Sequence, residues 1–165
     1  MKPAPTTNDA SRLVRLIDEG YNRKSWHGTN LRGSVRGLTA AQAAWRSGRH
    51  SIADLVVHCA YWKYAVRRRL RGEKRGSFGL KGSNWFALAE PLTPAAWKEY
   101  FALLDAEHAA LRSAVSELTP GQIAATRAGS QVSNLMLLHG VAMHDVYHAG
   151  QIQMIKGAHR GAQRE

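Results

Sequence analysis

Four stretches of the chain repeat apolar residues at the i, i+3, i+4 spacing of an α-helix, and none shows a convincing strand-like alternation. That pattern narrows the fold sharply, because each helix carries one apolar stripe and four stripes are most simply buried against one another. The first stretch runs from about Asn8 to Leu31, with Leu13, Leu16, Ile17, Gly20 and Tyr21 on one face and Asn8 or Asp9 as its cap. A short linking helix opens at Thr39, forms a capping box with Gln42 and ends near Gly48. The second long helix opens at Ser51 with a similar pattern to Asp54, carries Leu55, His58, Trp62 and Ala65 in its stripe, and ends at Gly72. Thr93 and Pro94 start the third, whose stripe is Trp97, Phe101, Leu104, His108, Leu111, Val115 and Leu118; Thr119, Pro120 and Gly121 stop it. The fourth runs from Ser130 or Ser133 to Lys156, with Leu137, Val141, His144, His148, Gln151 and Ile155 in its seam.

From Gly72 to Leu92 the chain is rich in Gly, Ser and Lys and has no period, which reads as a long crossover loop able to cover a site with Phe78, Trp85 and Phe86. The expected fold is therefore all-α: a four-helix bundle with a long crossover loop between helices 2 and 3, as one domain over residues 1–165. Trp62 and Trp85 are candidates for the wall of a pocket. A single cysteine, Cys59, excludes an intrachain disulfide framework and a zinc finger built on cysteine pairs, and favours a reducing cytoplasm. The polar start from Met1 to Asp9 lacks the apolar stretch of a signal peptide, and no run of about 18 apolar residues offers a membrane span.

Polar groups in the middle of an apolar seam demand an explanation. His144 and His148 are four residues apart on one helix, so their Cβ atoms lie about 5–6 Å apart on one face, close enough to share a metal ion. His58 interrupts the seam of the second helix in the same way. Three inward imidazoles with an open fourth position form a catalytic zinc pattern. From spacing alone a second reading stands beside it: each ring hydrogen-bonds a buried carbonyl or hydroxyl.

The string His144-Asp-Val-Tyr-His148-Ala-Gly-Gln-Ile152, paired with His58, resembles the DinB/YfiT-like superfamily of bacterial four-helix-bundle proteins. The resemblance extends to the Trp26-His27-Gly28 turn, Ala44-Trp45-Arg46 and Tyr61-Trp62-Lys63-Tyr64, and so covers nearly the whole chain. It implies that His58, His144 and His148 bind a divalent metal ion, zinc or nickel, and that the protein is a homodimer. It also implies one of the family's activities: a thiol-dependent transferase or isomerase using a low-molecular-weight thiol, or a hydrolase.

Helical geometry assigns roles to the neighbours. Gln151 faces the same cavity and either orients a metal-bound water or the substrate, or bonds another helix. Asp145 is a candidate general base, with an imidazole partner or cap as the simpler role. Tyr147 and Gly150 read as packing residues, His108 as a satisfied core histidine or a fourth ligand, and Cys59 as a small buried apolar group. His27 is placed to reach the cavity mouth, His139 falls off the ligand face, and His50 and His159 read as surface residues.

The formal net charge of +11 is concentrated between Arg67 and Lys81, where seven basic residues face one acid, Glu73. This stretch fits a solvated helix end, attraction of an anionic cosubstrate, or, without a recognition motif to support it, nucleic acid. The leading expectation is a cytoplasmic metal-dependent enzyme that activates a thiol against a small-molecule substrate. A hydrolase and a non-enzymatic basic binding protein are its rivals.

Overall fold

The computed structural model describes residues 9–164; Asn8, one of the two expected caps of the first helix, lies outside them. Seven helices and no strand occur among the described residues: α1 (Asp9–Tyr21), α2 (Leu31–Ser34), α3 (Ala40–Ala44), α4 (Ile52–Arg71), α5 (Pro94–Ser116), α6 (Pro120–Ala124) and α7 (Asn134–Ala162). Thr39, Ser51, Thr93 and Ser133 cap α3, α4, α5 and α7 as their sequences predict, each side-chain oxygen accepting from a backbone N–H in the first turn. Among the described residues no helix is long and apolar enough to cross a membrane.

Several boundaries differ from expectation, among them α3, which ends at Ala44 instead of near Gly48. The first helix ends at Tyr21 instead of reaching Leu31, because the apolar period lapses at Asn22-Arg23-Lys24. The chain then turns through Gly28, whose φ of +97° suits glycine, and Asn30 caps a new helix by accepting from Gly33 N–H at 2.8 Å. Thr119-Pro120 stops α5 and also starts the short α6. The last helix continues past Lys156 to Ala162, where His159 packs edge-on against Trp45.

The long helices close a ring in which α4 packs on α5 and α7, and α1 packs on the same two. Along α1 and α7 the approach is close: a Cβ at Gly20 would stand 2.8 Å from the Ala142 carbonyl oxygen. The fully buried stripe of α7 contains Leu138, Ala142, Asp145, Ala149 and Ile152, so it is rotated by about one residue from the seam read in the sequence. His144 and Gln151 consequently lie at its half-buried edge.

Charge is buried inside this ring. Lys63 of α4 donates to Asp145 of α7, both side chains being 1% exposed. The Lys63 ammonium sits 4.8 Å from the centre of the Tyr21 ring, which stacks on His108 at 3.9 Å. Tyr21 donates to Asp105, which also accepts from Arg32, while His108 and Arg112 share Asp18. His108 is thus a core histidine bound to a carboxylate.

Two outcomes follow from these contacts. Lys63→Met strands the Asp145 carboxylate and is expected to cost about 3–5 kcal/mol in urea unfolding, with Lys63→Met/Asp145→Leu recovering most of the loss. Burial first, and next the Lys63 ammonium, push the His108 pKa down to about 4 despite Asp18. The unfolded chain, with an ordinary histidine pKa of about 6.5, takes up that proton first as pH falls. The stability His108 contributes is complete above about pH 6.5 and is lost as pH falls from there to the depressed value, by about 3 kcal/mol. Unfolding midpoints measured from pH 7 to pH 4 should show the decline, and His108→Gln should flatten part of it.

Candidate metal centre

Packing α4 beside α7 brings three imidazoles to one point. The Nε2 atom of His144 lies 3.0 Å from Nε2 of His58 and 3.0 Å from Nε2 of His148. One ring nitrogen from each of the three histidines falls within 4.8 Å of the other two. Nitrogens at about 2.0–2.1 Å from a tetrahedral zinc ion would be separated by about 3.3 Å, close to the distances seen here.

The opposite ring nitrogens fix which protons are present. His58 Nδ1 is 2.9 Å from the carbonyl oxygen of Asn84, which can only accept, so that nitrogen carries the hydrogen. Gln151 donates through its amide nitrogen to the Tyr147 hydroxyl at 3.2 Å and turns its oxygen to His148 Nδ1 at 2.6 Å, so that nitrogen also carries the hydrogen. In their neutral forms both rings therefore present bare Nε2 lone pairs to His144, whose single ring hydrogen can satisfy one of them at most. Burial is the largest influence on all three rings and favours those neutral forms, pushing His144 down to about 3, His148 to about 4 and His58 below its ordinary value. A cation held in common removes the remaining lone-pair conflict. The donor set therefore fits a divalent metal ion, with Asn84 and Gln151 orienting two of its ligands.

Asn84 was not legible as a site residue. It is the one non-glycine residue with positive φ, +63°, among those described, and its side chain also accepts from Trp62 Nε1 at 3.0 Å. Asparagine tolerates that conformation better than most residues, but its place in an aperiodic segment gave no other signal. The next residue, Trp85, stacks on His58 at 4.0 Å and on His50 at 3.7 Å, so His50 is part of the site wall and not simply a surface residue.

A cleft of about 490 Å³ opens beside His148, lined by Leu55, Trp85, Tyr147, Gln151, Met154 and Ile155 among others. Gln151 stands on this cleft as well as on His148. Tyr147 is 64% exposed at its rim, so it is not the packing residue its helical position implies. Gly150 is also exposed, with nothing within 4 Å of a would-be Cβ; close packing of α7 is served instead by Gly20 on the opposite helix.

Asp145 points into the ring of helices. One carboxylate oxygen accepts from Lys63 and the other is buried without a partner. A ring nitrogen of His144, the Cys59 sulfur and an Asp145 oxygen also approach within 4.8 Å. Burial pushes the Cys59 thiol well up, which keeps it protonated, and Lys63 already engages Asp145, so the histidine trio is the better donor set. His27 and His139 are exposed, and neither lines the cleft.

Gln151→Leu removes the acceptor that holds His148 and is expected to weaken zinc affinity about 10–100-fold in a competition titration with a chromophoric chelator. Gln151→Glu, which keeps an acceptor there, should retain most of it.

Comparison with known families matches residues 24–152, a span that contains all three histidines, to the DinB superfamily. No curated protein and no solved structure matches significantly. With this match over most of its length, the chain belongs to the DinB superfamily.

Proposed function

We propose that this protein is a metal-dependent enzyme of the thiol-dependent transferase type, with His58, His144 and His148 holding one zinc or nickel ion. The observation that carries the reading is the convergence of three Nε2 atoms whose partner nitrogens, in two of the three rings, are already tied to acceptors. A divalent ion bound there favours the anionic form of a thiol or of water. The chain's own residues supply the rest. Trp85, Leu55, Met154 and Ile155 offer an apolar surface to the substrate, and Tyr147 with Gln151 places polar groups at its edge. Asp145 acts as a positioning residue through Lys63, since its carboxylate is fully buried away from the cleft.

We read the ring of α1, α5, α4 and α7 as a four-helix bundle, with residues 73–93 as the crossover that carries Asn84 and Trp85 to the metal end. The homodimer implied by the family finds support in an exposed stripe of α7, where Met136, Met143, Tyr147 and Met154 share a face with Gly140 and Gly150. A buried, protonated Cys59 is compatible with a cytoplasmic setting.

Elemental mass spectrometry of protein purified without a histidine tag should find one zinc or nickel ion per chain, lost in His148→Ala. Activity toward small electrophiles should then require an added low-molecular-weight thiol. Activity that survives removal of thiol would assign the site to hydrolysis. A wild-type protein that contains no metal and takes up neither zinc nor nickel would remove both enzymatic readings.

A further inference from the structure

The basic stretch takes no part in the metal centre, and its members have different fates. Arg67 is neutralised by Glu73 at 2.9 Å and Glu107 at 3.3 Å, and Arg71 reaches Glu117 at 3.5 Å. Arg68 is the exception. Only 8% of it is exposed, yet it has no carboxylate within 4.0 Å among the described residues. One terminal nitrogen donates to the Glu73 carbonyl oxygen at 3.2 Å, while Nε is buried without a partner. A guanidinium keeps its charge at any physiological pH, and a buried charge without a counter-ion is strongly unfavourable. The carbonyls at the C-terminal end of α4 offset part of that cost but leave Nε unsatisfied.

Arg68 lines a cleft of about 410 Å³ between α4 and the segment 75–83. The other charged groups of its lining are Arg75 and Lys81, and no Asp or Glu lines it. Tyr61, Tyr64 and Phe78 give it aromatic walls. Tyr64 oxygen accepts from Gly76 N–H at 3.1 Å and Ser77 N–H at 3.2 Å, which folds the segment back over the helix and brings Arg75 to the cleft. A volume of this size suits a small molecule, and a lining with three cations and no acid selects an anion.

We propose that this cleft binds the oxyanion group of a small molecule, a carboxylate or a phosphate, with Arg68 as its buried counter-ion and Arg75 and Lys81 closing over it. The site is separate from the metal centre in its ligands. The two share one segment, because Ser83 lines the cleft and the next residue, Asn84, holds His58.

Isothermal titration of the full chain with inorganic phosphate and, separately, with succinate, at fixed ionic strength, tests this. Saturable binding of at least one probe is expected, and the one that binds identifies the type of oxyanion. Arg75 and Lys81 are exposed, so Arg75→Gln and Lys81→Gln leave the fold intact; each should weaken binding about three- to fivefold. Arg68→Met should weaken it by more than about tenfold; if that variant does not fold, as judged by circular dichroism, the two exposed variants decide. His148→Ala should leave the affinity unchanged within about twofold, since it alters the metal centre alone. Absence of saturable binding for both probes overturns the proposal. So does binding that is lost in His148→Ala but survives both glutamine variants, or binding of a single-stranded oligonucleotide by a chain that takes up neither probe.

Discussion

An ammonium and a carboxylate buried together between α4 and α7 set the register on which the rest of the structure depends. Lys63 and Asp145 are each 1% exposed, and removing either partner, or sliding one helix along the other, would leave a charge in an apolar interior. Their places in the sequence give that constraint a use. Asp145 directly follows His144, and Lys63 lies five residues beyond His58, so the helix alignment that satisfies the charges also brings the imidazoles of α4 and α7 together. The pair is tied further: Tyr21 lies beneath the ammonium and stacks on His108, which reaches Asp18. Polar contacts thus run from α7 through α4 to α1 and α5.

The candidate metal centre sits where this ring meets the segment 73–93. Helices supply the three Nε2 atoms, and the segment supplies the carbonyl of Asn84 and the ring of Trp85, which fix His58 from the other side. Two of the three candidate ligands are therefore held in orientation by the protein itself, which would lower the entropy lost on binding an ion. Trp85 is stacked between His58 and His50 and with His50 forms one wall of the adjoining cleft. The same segment, a few residues earlier, roofs the cleft over Arg68. An aperiodic stretch thus contributes to both concave sites, as is common for loops carried by a rigid scaffold.

Much of this was legible in the chain because its signals are local. Capping residues at Thr39, Ser51, Thr93 and Ser133 mark helix starts through hydrogen bonds that span only three residues. The seams made the convergence of His58 with His144 and His148 one of two readings, since a polar ring in an apolar seam needs a partner, and the resemblance to the DinB/YfiT-like superfamily favoured it. What escaped notice depended on groups distant in sequence. Lys63 reads as part of an aromatic run until Asp145, 82 residues away, is placed against it. Asn84, His50 and Arg68 carry no periodic signal, and Tyr147 and Gly150 were misplaced because a helix alone does not reveal which of its faces lacks a neighbour.

The sequence by itself determined that the chain is helical, where most helices begin, and that histidines interrupt the apolar seams, because hydrophobic period and capping are properties of short stretches. Only the tertiary structure decided how α7 is rotated, which ring nitrogens are tied back, and that Arg68 is buried without a counter-ion. These outcomes depend on desolvation and on pairing across helices. Both are set by what packs opposite a residue rather than by what precedes or follows it in the chain.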